Sequence, residues 1–242
     1  YKVLDPFENG RGTALADVLY RGQLDIVTGN WDGEHRIFVE KNNVFEDIAS
    51  EDFKKPSKIR TVIVADFDND GYDEIFLNNI GEPNKLFKIK DKGQIEEIDI
   101  TLNSEANGLG TGAAVADIDK DGILELLIAH GENGNQILTL YKADIKKTKN
   151  FIRIKALNKN GAPARGATVT LISNLRNHSK TIDSGSGYLC QMEPVAHYGI
   201  REGEKDFRVE IKWTNGKVSK YKIDRIGKTY TFKQSKLTIS PS

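Results

Sequence analysis

The sequence predicts an all-β protein, in which the blades of a β-propeller precede a small β-sandwich or barrel. One observation is a repeat: a short apolar strand that ends in aspartate occurs three times, with the aspartates at positions 17, 66 and 117. A second is that the 3.6-residue apolar periodicity of amphipathic helices is almost lacking. A period of about 50 residues, with about four short strands per unit, is typical of a propeller blade.

The composition is that of a globular chain with balanced charge. Its 242 residues can bury a sizeable core, and they include 35 Lys and Arg and 35 Asp and Glu. A net charge near zero argues against nucleic-acid binding, and the lack of an apolar run of about 18 residues argues against membrane insertion. Because the chain opens at Tyr1 and its only methionine is Met192, we expect a trimmed chain whose targeting signal has been removed. The single cysteine, Cys190, cannot form an internal disulfide, and its flanks predict a buried thiol on a strand.

We expect the propeller repeats in residues 1–145. In each unit the aspartate is followed by glycine at the sixth loop position, a carboxylate at the ninth and a second apolar run. The second unit shows the predicted strands best, at residues 61–65, 74–78, 85–89 and 94–98. The first unit has an outer strand at residues 44–48, and residues 2–4 are typical of the outer strand of an earlier blade. Since propellers close with roughly 4 to 8 blades, we expect these repeats to belong to the C-terminal part of a larger propeller or to be completed by other chains.

We expect a second domain in residues 150–240, after a lysine-rich linker at residues 142–149. Alternating apolar residues predict strands at 151–157, 167–172, 180–182, 188–191, 207–213, 218–223 and 229–233. Asn215-Gly216 lies between two of these strands and predicts a β-hairpin. The pattern is that of a small all-β sandwich or barrel.

Two of the three loops have the carboxylate spacing of a calcium site. Carboxylates occupy loop positions 1, 3, 5 and 9, and position 7 is placed to supply a backbone carbonyl. The candidate ligands are Asp66, Asp68, Asp70, Tyr72 and Glu74 in the second unit, and Asp117, Asp119, Asp121, Ile123 and Glu125 in the third. A hard cation takes about 6 to 8 oxygens, and the larger shell of Ca²⁺ suits so many protein oxygens better than that of Mg²⁺. The alternative is a pair of polar turns with no metal.

Two further features bear on the loops. An EF-hand is excluded, because its glutamate at position 12 would here be Leu77 or Ile128. In the second loop, Asp73 is an alternative ligand if Glu74 points away.

We predict no metal in the first loop. Leu19 and Arg21 stand where ligands would be, and Arg21 would bring its own positive charge beside Asp17 and Asp25.

The loops with their flanking strands resemble the FG-GAP or VCBS repeats of integrin α-chain-type propellers. Residues 158–167, 185–200 and 209–216 closely resemble the ASPIC/UnbV domain, and the order of the two parts is similar to that of the cartilage acidic protein 1 family. This resemblance covers essentially the whole chain. It implies a secreted protein that binds Ca²⁺ and recognises another extracellular or cell-surface protein. The chain departs from the family by ending at Ser242 without an EGF-like module and by lacking an acidic excess.

The function predicted from these features is extracellular protein–protein interaction or adhesion, without catalysis. The four histidines are scattered, and neither a metal pair nor a G-x-S-x-G elbow is present. We interpret His197 as a structural histidine that holds a loop by hydrogen bonds. The alternatives are a carbohydrate-active propeller enzyme and a structural matrix component, and a cleft lined by His, Tyr and carboxylates would favour the enzyme. Because both metal loops lie in the repeats, we expect removal of Ca²⁺ to leave residues 150–242 nearly unchanged.

Overall fold

The computed structural model describes residues 4–132, 134–145, 150–183 and 187–234, and these residues form an all-β fold of five sheets. Their strands are β1 (Gly10–Ala16), β2 (Asp25–Asn30), β3 (Arg36–Lys41), β4 (Val44–Asp47), β5 (Ile59–Ala65), β6 (Glu74–Asn79), β7 (Lys85–Ile89), β8 (Ile95–Ile98), β9 (Gly110–Ala116), β10 (Glu125–His130), β11 (Thr139–Lys142), β12 (Phe151–Leu157), β13 (Thr168–Ile172), β14 (Asn177–Thr181), β15 (Ala196–Gly199), β16 (Arg208–Lys212), β17 (Val218–Lys222) and β18 (Lys228–Lys233). Short 3-10 helices occupy Asp91–Gly93 and Thr101–Asn103. None of the helices in these ranges is long and apolar enough to cross a membrane.

The first three sheets are consecutive antiparallel meanders, as expected for propeller blades. Their orders are β1-β2-β3-β4, β5-β6-β7-β8 and β9-β10-β11. The first two strands of each blade pair in the same register, with Ala16 opposite Asp25, Ala65 opposite Glu74 and Ala116 opposite Glu125. The repeat seen in the sequence is therefore a repeat of backbone register.

Successive blades pack face to face through the alternating side chains of their inner strands. In β5, Val62 packs into a cluster with the first blade, whereas the adjacent Ile63 packs into a cluster with the third. Successive residues of a strand point to opposite faces. A strand that is buried on both faces therefore consists of consecutive apolar residues, as in Val62-Ile63-Val64.

The last two sheets pack on one another as a β-sandwich. One has the order β15-β12-β18, with β12 and β18 parallel, and the other has the order β14-β13-β16-β17. Both contribute to a single core, whose largest buried members include Ile152, Ile154, Leu171, Tyr198, Ile211 and Trp213. The predicted hairpin is present between β16 and β17, where the Trp213 N–H donates to the Lys217 carbonyl at 2.8 Å and Gly216 has φ 81°.

Three predictions for this region were wrong in detail. Residues 188–191 do not form a strand: Leu189 has φ 55° and is 90% exposed, and the Tyr188 N–H donates to Thr61 of the second blade at 2.9 Å. Cys190 therefore lies outside any strand and is half-buried. The strand expected at 180–182 is the end of β14, and β15 was not predicted.

Lys142 is not linker either, because it is the last residue of β11. Residues 146–149 of the predicted linker and residues 2–3 of the predicted outer strand lie outside the described residues.

Candidate metal centre

All three loops share one backbone conformation. The glycine at the sixth position has φ 84°, 87° and 90° at Gly22, Gly71 and Gly122. This left-handed region is open to glycine at little cost. A Cβ on Gly71 would also meet the backbone nitrogen of Arg201 at 2.9 Å, so this glycine is required both by its dihedral angle and by the close approach of the sandwich.

The second loop brings its acidic side chains together at the end of β5. Asp66, Asp68 and Asp70 each offer a carboxylate oxygen within 4.8 Å of the others. Glu74, the first residue of β6, turns back into the loop and accepts a hydrogen bond from the Phe67 N–H at 2.9 Å. Tyr72 lies at the seventh position, where its N–H donates to Asp70 at 2.9 Å. Four predicted carboxylate ligands therefore converge.

A lysine from the neighbouring strand neutralises part of this cluster. Lys88 on β7 lies opposite Glu74 in the sheet. Its Nζ is 2.8 Å from Asp68, 2.7 Å from Asp70 and 3.1 Å from Glu74. Burial lowers the pKa of Lys88, but the surrounding carboxylates outweigh it and raise the pKa overall. The loop thus holds one positive charge against four acidic groups.

The third loop repeats this arrangement. Asp117, Asp119 and Glu125 offer oxygens within 4.8 Å of one another. Lys142 on β11 lies opposite Glu125 and contacts Asp119, Asp121 and Glu125 at 2.7, 2.8 and 2.7 Å. The Ile118 N–H donates to Glu125 at 2.7 Å, and the Ile123 N–H donates to Asp121 at 2.9 Å. The two loops are equivalent in ligands, register and basic neighbour.

The residues fit a hard cation, because buried oxygens in both loops lack a hydrogen-bond partner. These atoms are Asp66 Oδ1 and Asp117 Oδ1, whereas Glu74 Oε1 and Glu125 Oε1 lie 3.1 and 2.7 Å from the Nζ of the neighbouring lysine. A buried polar group without a partner costs free energy, and carboxylate oxygens are the ligands that Ca²⁺ prefers. Burial, together with Asp73 and Asp70, raises the pKa of Asp66 to about 8. A cation bound there would favour the ionised carboxylates and satisfy the free oxygens.

Asp73 does not join the cluster, although the sequence makes it an alternative ligand. His178 Nε2 lies 3.0 Å from one of its oxygens and Lys180 Nζ lies 2.6 Å from the other. Burial opposes ionisation, but these two neighbours lower the pKa of Asp73 overall. Asp73 therefore pairs with residues of the sandwich, whereas Glu74 faces the loop.

The first loop is neutralised by its own arginine. Arg21 Nη2 lies 2.7 Å from Asp25, as the sequence indicated. Its guanidinium does not pair with Asp17, whose carboxylate instead accepts the backbone N–H groups of Arg21 and Gly22 at 2.9 and 2.7 Å. Burial raises the pKa of Asp17 to about 6.

The first aspartate of every loop also contacts the sandwich. Asp17 accepts the Ser179 N–H at 2.9 Å, and Asp66 accepts the Gly199 N–H at 3.0 Å. Asp117 accepts Arg153 Nη1 at 2.6 Å. The loops therefore form the interface between the repeats and the sandwich, which the sequence analysis did not anticipate.

His197 has the structural role that the sequence predicted. Asn69 donates its side-chain amide to the Gly122 carbonyl at 2.8 Å, which leaves its carbonyl oxygen to accept from His197 Nε2 at 2.7 Å. The imidazole also stacks on Phe151, with ring centroids 6.0 Å apart. This histidine ties the sandwich to the second loop.

The two lysines were missed, although the sequence contains a signal for them. Leu86-Phe87-Lys88 and Leu140-Tyr141-Lys142 are the same apolar–aromatic–lysine triplet, whereas the first unit has Ile37-Phe38-Val39. The unit that lacks loop acids therefore also lacks the lysine.

Comparison with known proteins agrees with this architecture. The family model described as FG-GAP-like repeat matches residues 17–77 and 66–128, and the model described as ASPIC and UnbV matches residues 157–239. Cartilage acidic protein 1 from Xenopus tropicalis and from Homo sapiens are each 44% identical to the chain over 89% of its length, and the protein from Mus musculus is 43% identical. The chain spans about a third of these relatives, 35%, 34% and 35% of their lengths. The repeats, the sandwich and these similarities together show that the chain combines FG-GAP-like repeats with an ASPIC and UnbV domain and is a homologue of cartilage acidic protein 1 over the part that it spans.

Proposed function

We propose that this chain is part of a secreted calcium-binding propeller protein that mediates extracellular protein–protein interaction or adhesion, and that it is not an enzyme. The observation that supports the calcium sites is that, in both loops, three carboxylates offer oxygens within 4.8 Å of one another and the first aspartate has a buried oxygen without a hydrogen-bond partner. The extracellular location is supported by relatives that are named for cartilage, a tissue rich in matrix. We also propose residues 1–145 and 150–240 as the two domains.

The second and third loops would each hold one Ca²⁺. Asp66, Asp68, Asp70, Glu74 and the carbonyl of Tyr72 would serve one ion, and Asp117, Asp119, Asp121, Glu125 and the carbonyl of Ile123 the other. The ion would act as a structural clamp at the end of each inner strand. At free Ca²⁺ about tenfold above the dissociation constant, each site would add about 1.4 kcal/mol to the free energy of unfolding.

Calorimetric titration with Ca²⁺ tests this proposal. We expect two sites in the unaltered chain and one in each of Asp68→Asn and Asp119→Asn. These side chains are 37% and 59% exposed, so their replacement removes a ligand charge without opening the core. Asp52→Asn, an exposed acid outside the loops, should keep two sites. Absence of Ca²⁺ binding by the unaltered chain, or two sites in both loop variants, would contradict the assignment.

Two cavities bear on the carbohydrate-active alternative. One, of about 290 Å³, is lined by His197, Asp73 and Glu193, and these groups pair with other protein groups. The other is a cleft of about 820 Å³ beside the second loop. Its lining includes Tyr72, Asp91 and Arg201. These groups bind one another: the Tyr72 hydroxyl donates to Asp91 at 2.9 Å, and Arg201 pairs with the same carboxylate at 2.6 Å. The described lining of this cleft contains no histidine, and its polar groups serve as interdomain contacts, which favours a binding protein over an enzyme.

A further inference from the structure

The balanced charge of the chain conceals two oppositely charged parts. Residues 1–149 contain 18 Lys and Arg and 28 Asp and Glu, a net charge of −10. Residues 150–242 contain 17 Lys and Arg and 7 Asp and Glu, a net charge of +10. A charge asymmetry of this size within one chain indicates that the basic part can bind a partner of opposite charge.

Only part of the positive charge is used inside the molecule. Arg153 pairs with Asp117, Lys180 with Asp73 and Arg201 with Asp91, so that these cations hold the sandwich on the loops. Arg176 is buried and pairs with Glu204, whereas most of the other described cations of the sandwich are exposed.

Four of them lie on the outer surface of the β16–β17 hairpin. Along these strands the apolar residues point into the core, and the alternate residues point outward. We call the exposed side chains of Arg208, Lys212, Lys220 and Lys222 the basic face. It contains one acid, Glu210, which pairs with Lys220 at 2.7 Å.

The basic face departs from the usual pairing of charges across a sheet. Arg208 lies directly opposite Lys222 in the register. Like charges placed opposite each other destabilise a sheet. Within the described ranges, Arg208, Lys212 and Lys222 form no ion pair that would offset this repulsion. An unfavourable local arrangement without a compensating contact is typical of a functional surface.

We propose that the basic face binds a sulfated linear polysaccharide. Lys220 and Lys222 are two residues apart on β17, about 6.8 Å, and Lys222 lies beside Arg208 at the strand spacing of about 4.8 Å, while Lys212 lies about 13.6 Å from Arg208 along β16. This row of cations suits a polymer with closely spaced anionic groups. The aromatic residues of the hairpin, Trp213 and Tyr221, pack in or against the core, so the face offers no ring for stacking on a nucleic-acid base. Its one large apolar side chain is Val218, at the strand end, which leaves no apolar centre for a protein partner. The choice of a sulfated glycan over other polyanions rests on the proposed extracellular location.

Heparin is a suitable probe, with the full chain immobilised and binding followed as a function of NaCl concentration. The triple variant Arg208→Gln, Lys212→Gln and Lys222→Gln removes three charges from the basic face. The matched control is Lys159→Gln, Arg165→Gln and Lys233→Gln, which removes three charges from exposed positions elsewhere on the sandwich. We expect the first variant to bind heparin at least about tenfold more weakly with a shallower salt dependence, and the control to stay within about threefold.

Four outcomes would overturn the proposal: no heparin binding by the unaltered chain, equal losses in both variants, equal binding of desulfated heparin, or tighter binding of a DNA duplex of matched charge. Calcium titration of the same variants separates this surface from the metal loops. Both variants should still bind two Ca²⁺ ions. If the unaltered chain bound heparin but no Ca²⁺, the calcium assignment of the loops would be contradicted and the proposal for the basic face would still stand.

Discussion

At the scale of single residues, the interface between the repeats and the sandwich depends on a neutral histidine. His178 is fully buried, and burial lowers its pKa to about 3. At neutral pH its Nε2–H therefore donates to Asp73, while Lys180 supplies the balancing charge. Protonation would place a second positive charge in a buried site that already holds one.

This predicts a specific loss of stability in acid. The unfolded chain takes up a proton on His178 near pH 6.5, whereas the folded chain resists protonation until about pH 3. The stability that the neutral ring contributes is therefore fully present well above pH 6.5 and falls as the pH drops, by about 3 kcal/mol at pH 4.5. His178→Gln keeps a donor toward Asp73 but does not titrate. Denaturant unfolding at both pH values should show a smaller acid loss in the variant, and equal losses would contradict this role.

At the scale of elements, the third strand of a blade supplies a cation to the loop between the first two. Lys88 and Lys142 occupy the same register position in β7 and β11, each opposite the glutamate at loop position 9. In the first blade, Val39 on β3 stands at the corresponding place, and the loop contains Arg21 instead. Each loop therefore has one basic side chain, which comes either from the strand or from the loop itself.

We expect Lys88→Met to bind Ca²⁺ more tightly at the second loop, because the variant removes a positive charge that contacts three ligands. A gain of about tenfold corresponds to about 1.4 kcal/mol, a fraction of the Coulomb energy of two unit charges about 4 Å apart at an effective dielectric of 20. Without Ca²⁺ the same variant should have a lower Tm than the unaltered chain. Lys90→Met removes an exposed lysine that pairs with Glu96 and serves as the control. Equal Ca²⁺ affinity in calorimetry for Lys88→Met and the unaltered chain would show that the lysine does not compete.

At the scale of the whole molecule, the proposed calcium loops lie in the interface between the repeats and the sandwich. Asp66 bonds to Gly199 and Asp117 bonds to Arg153, so any movement of the loops is transmitted to β15 and β12. This revises the expectation that Ca²⁺ removal would leave the sandwich unchanged. The part of the sandwich that faces the loops should respond, and the β16–β17 hairpin on the other side should not.

Hydrogen exchange with Ca²⁺ and with excess EDTA tests this coupling. Removal of Ca²⁺ should speed exchange about tenfold in β6 and β15, equivalent to about 1.4 kcal/mol of local stability. Exchange in β17 should stay constant as an internal control, as should the fluorescence of Trp213 in the sandwich core, measured in a Trp31→Phe background because Trp31 lies in the repeats. A change confined to the repeats would show that the two parts behave independently. A change throughout the sandwich would show that it unfolds without its contacts to the loops.

Features that depend on short-range patterns could be predicted from the sequence alone. The all-β class, the meander of the second blade, the Asn215-Gly216 hairpin and the spacing of the loop acids all follow from residues close together in the chain. Periodicity, turn preference and ligand spacing act over a few residues, so the sequence expresses them directly. The prediction of a strand at residues 188–191 was wrong because these residues do not pair with another strand. Their contact is with Thr61 of the second blade, which accepts a hydrogen bond from the Tyr188 N–H.

Which charged side chains pair with one another could not be predicted without the three-dimensional arrangement of the strands. Asp73 and Glu74 are adjacent in the sequence, but one faces His178 and Lys180 of the sandwich and the other faces the loop. The lysine that completes each metal loop comes from another strand, and the balance of charge over the whole chain hides an acidic and a basic part. The physical reason is that electrostatic contacts depend on distance in space and on burial, neither of which is set by separation along the chain.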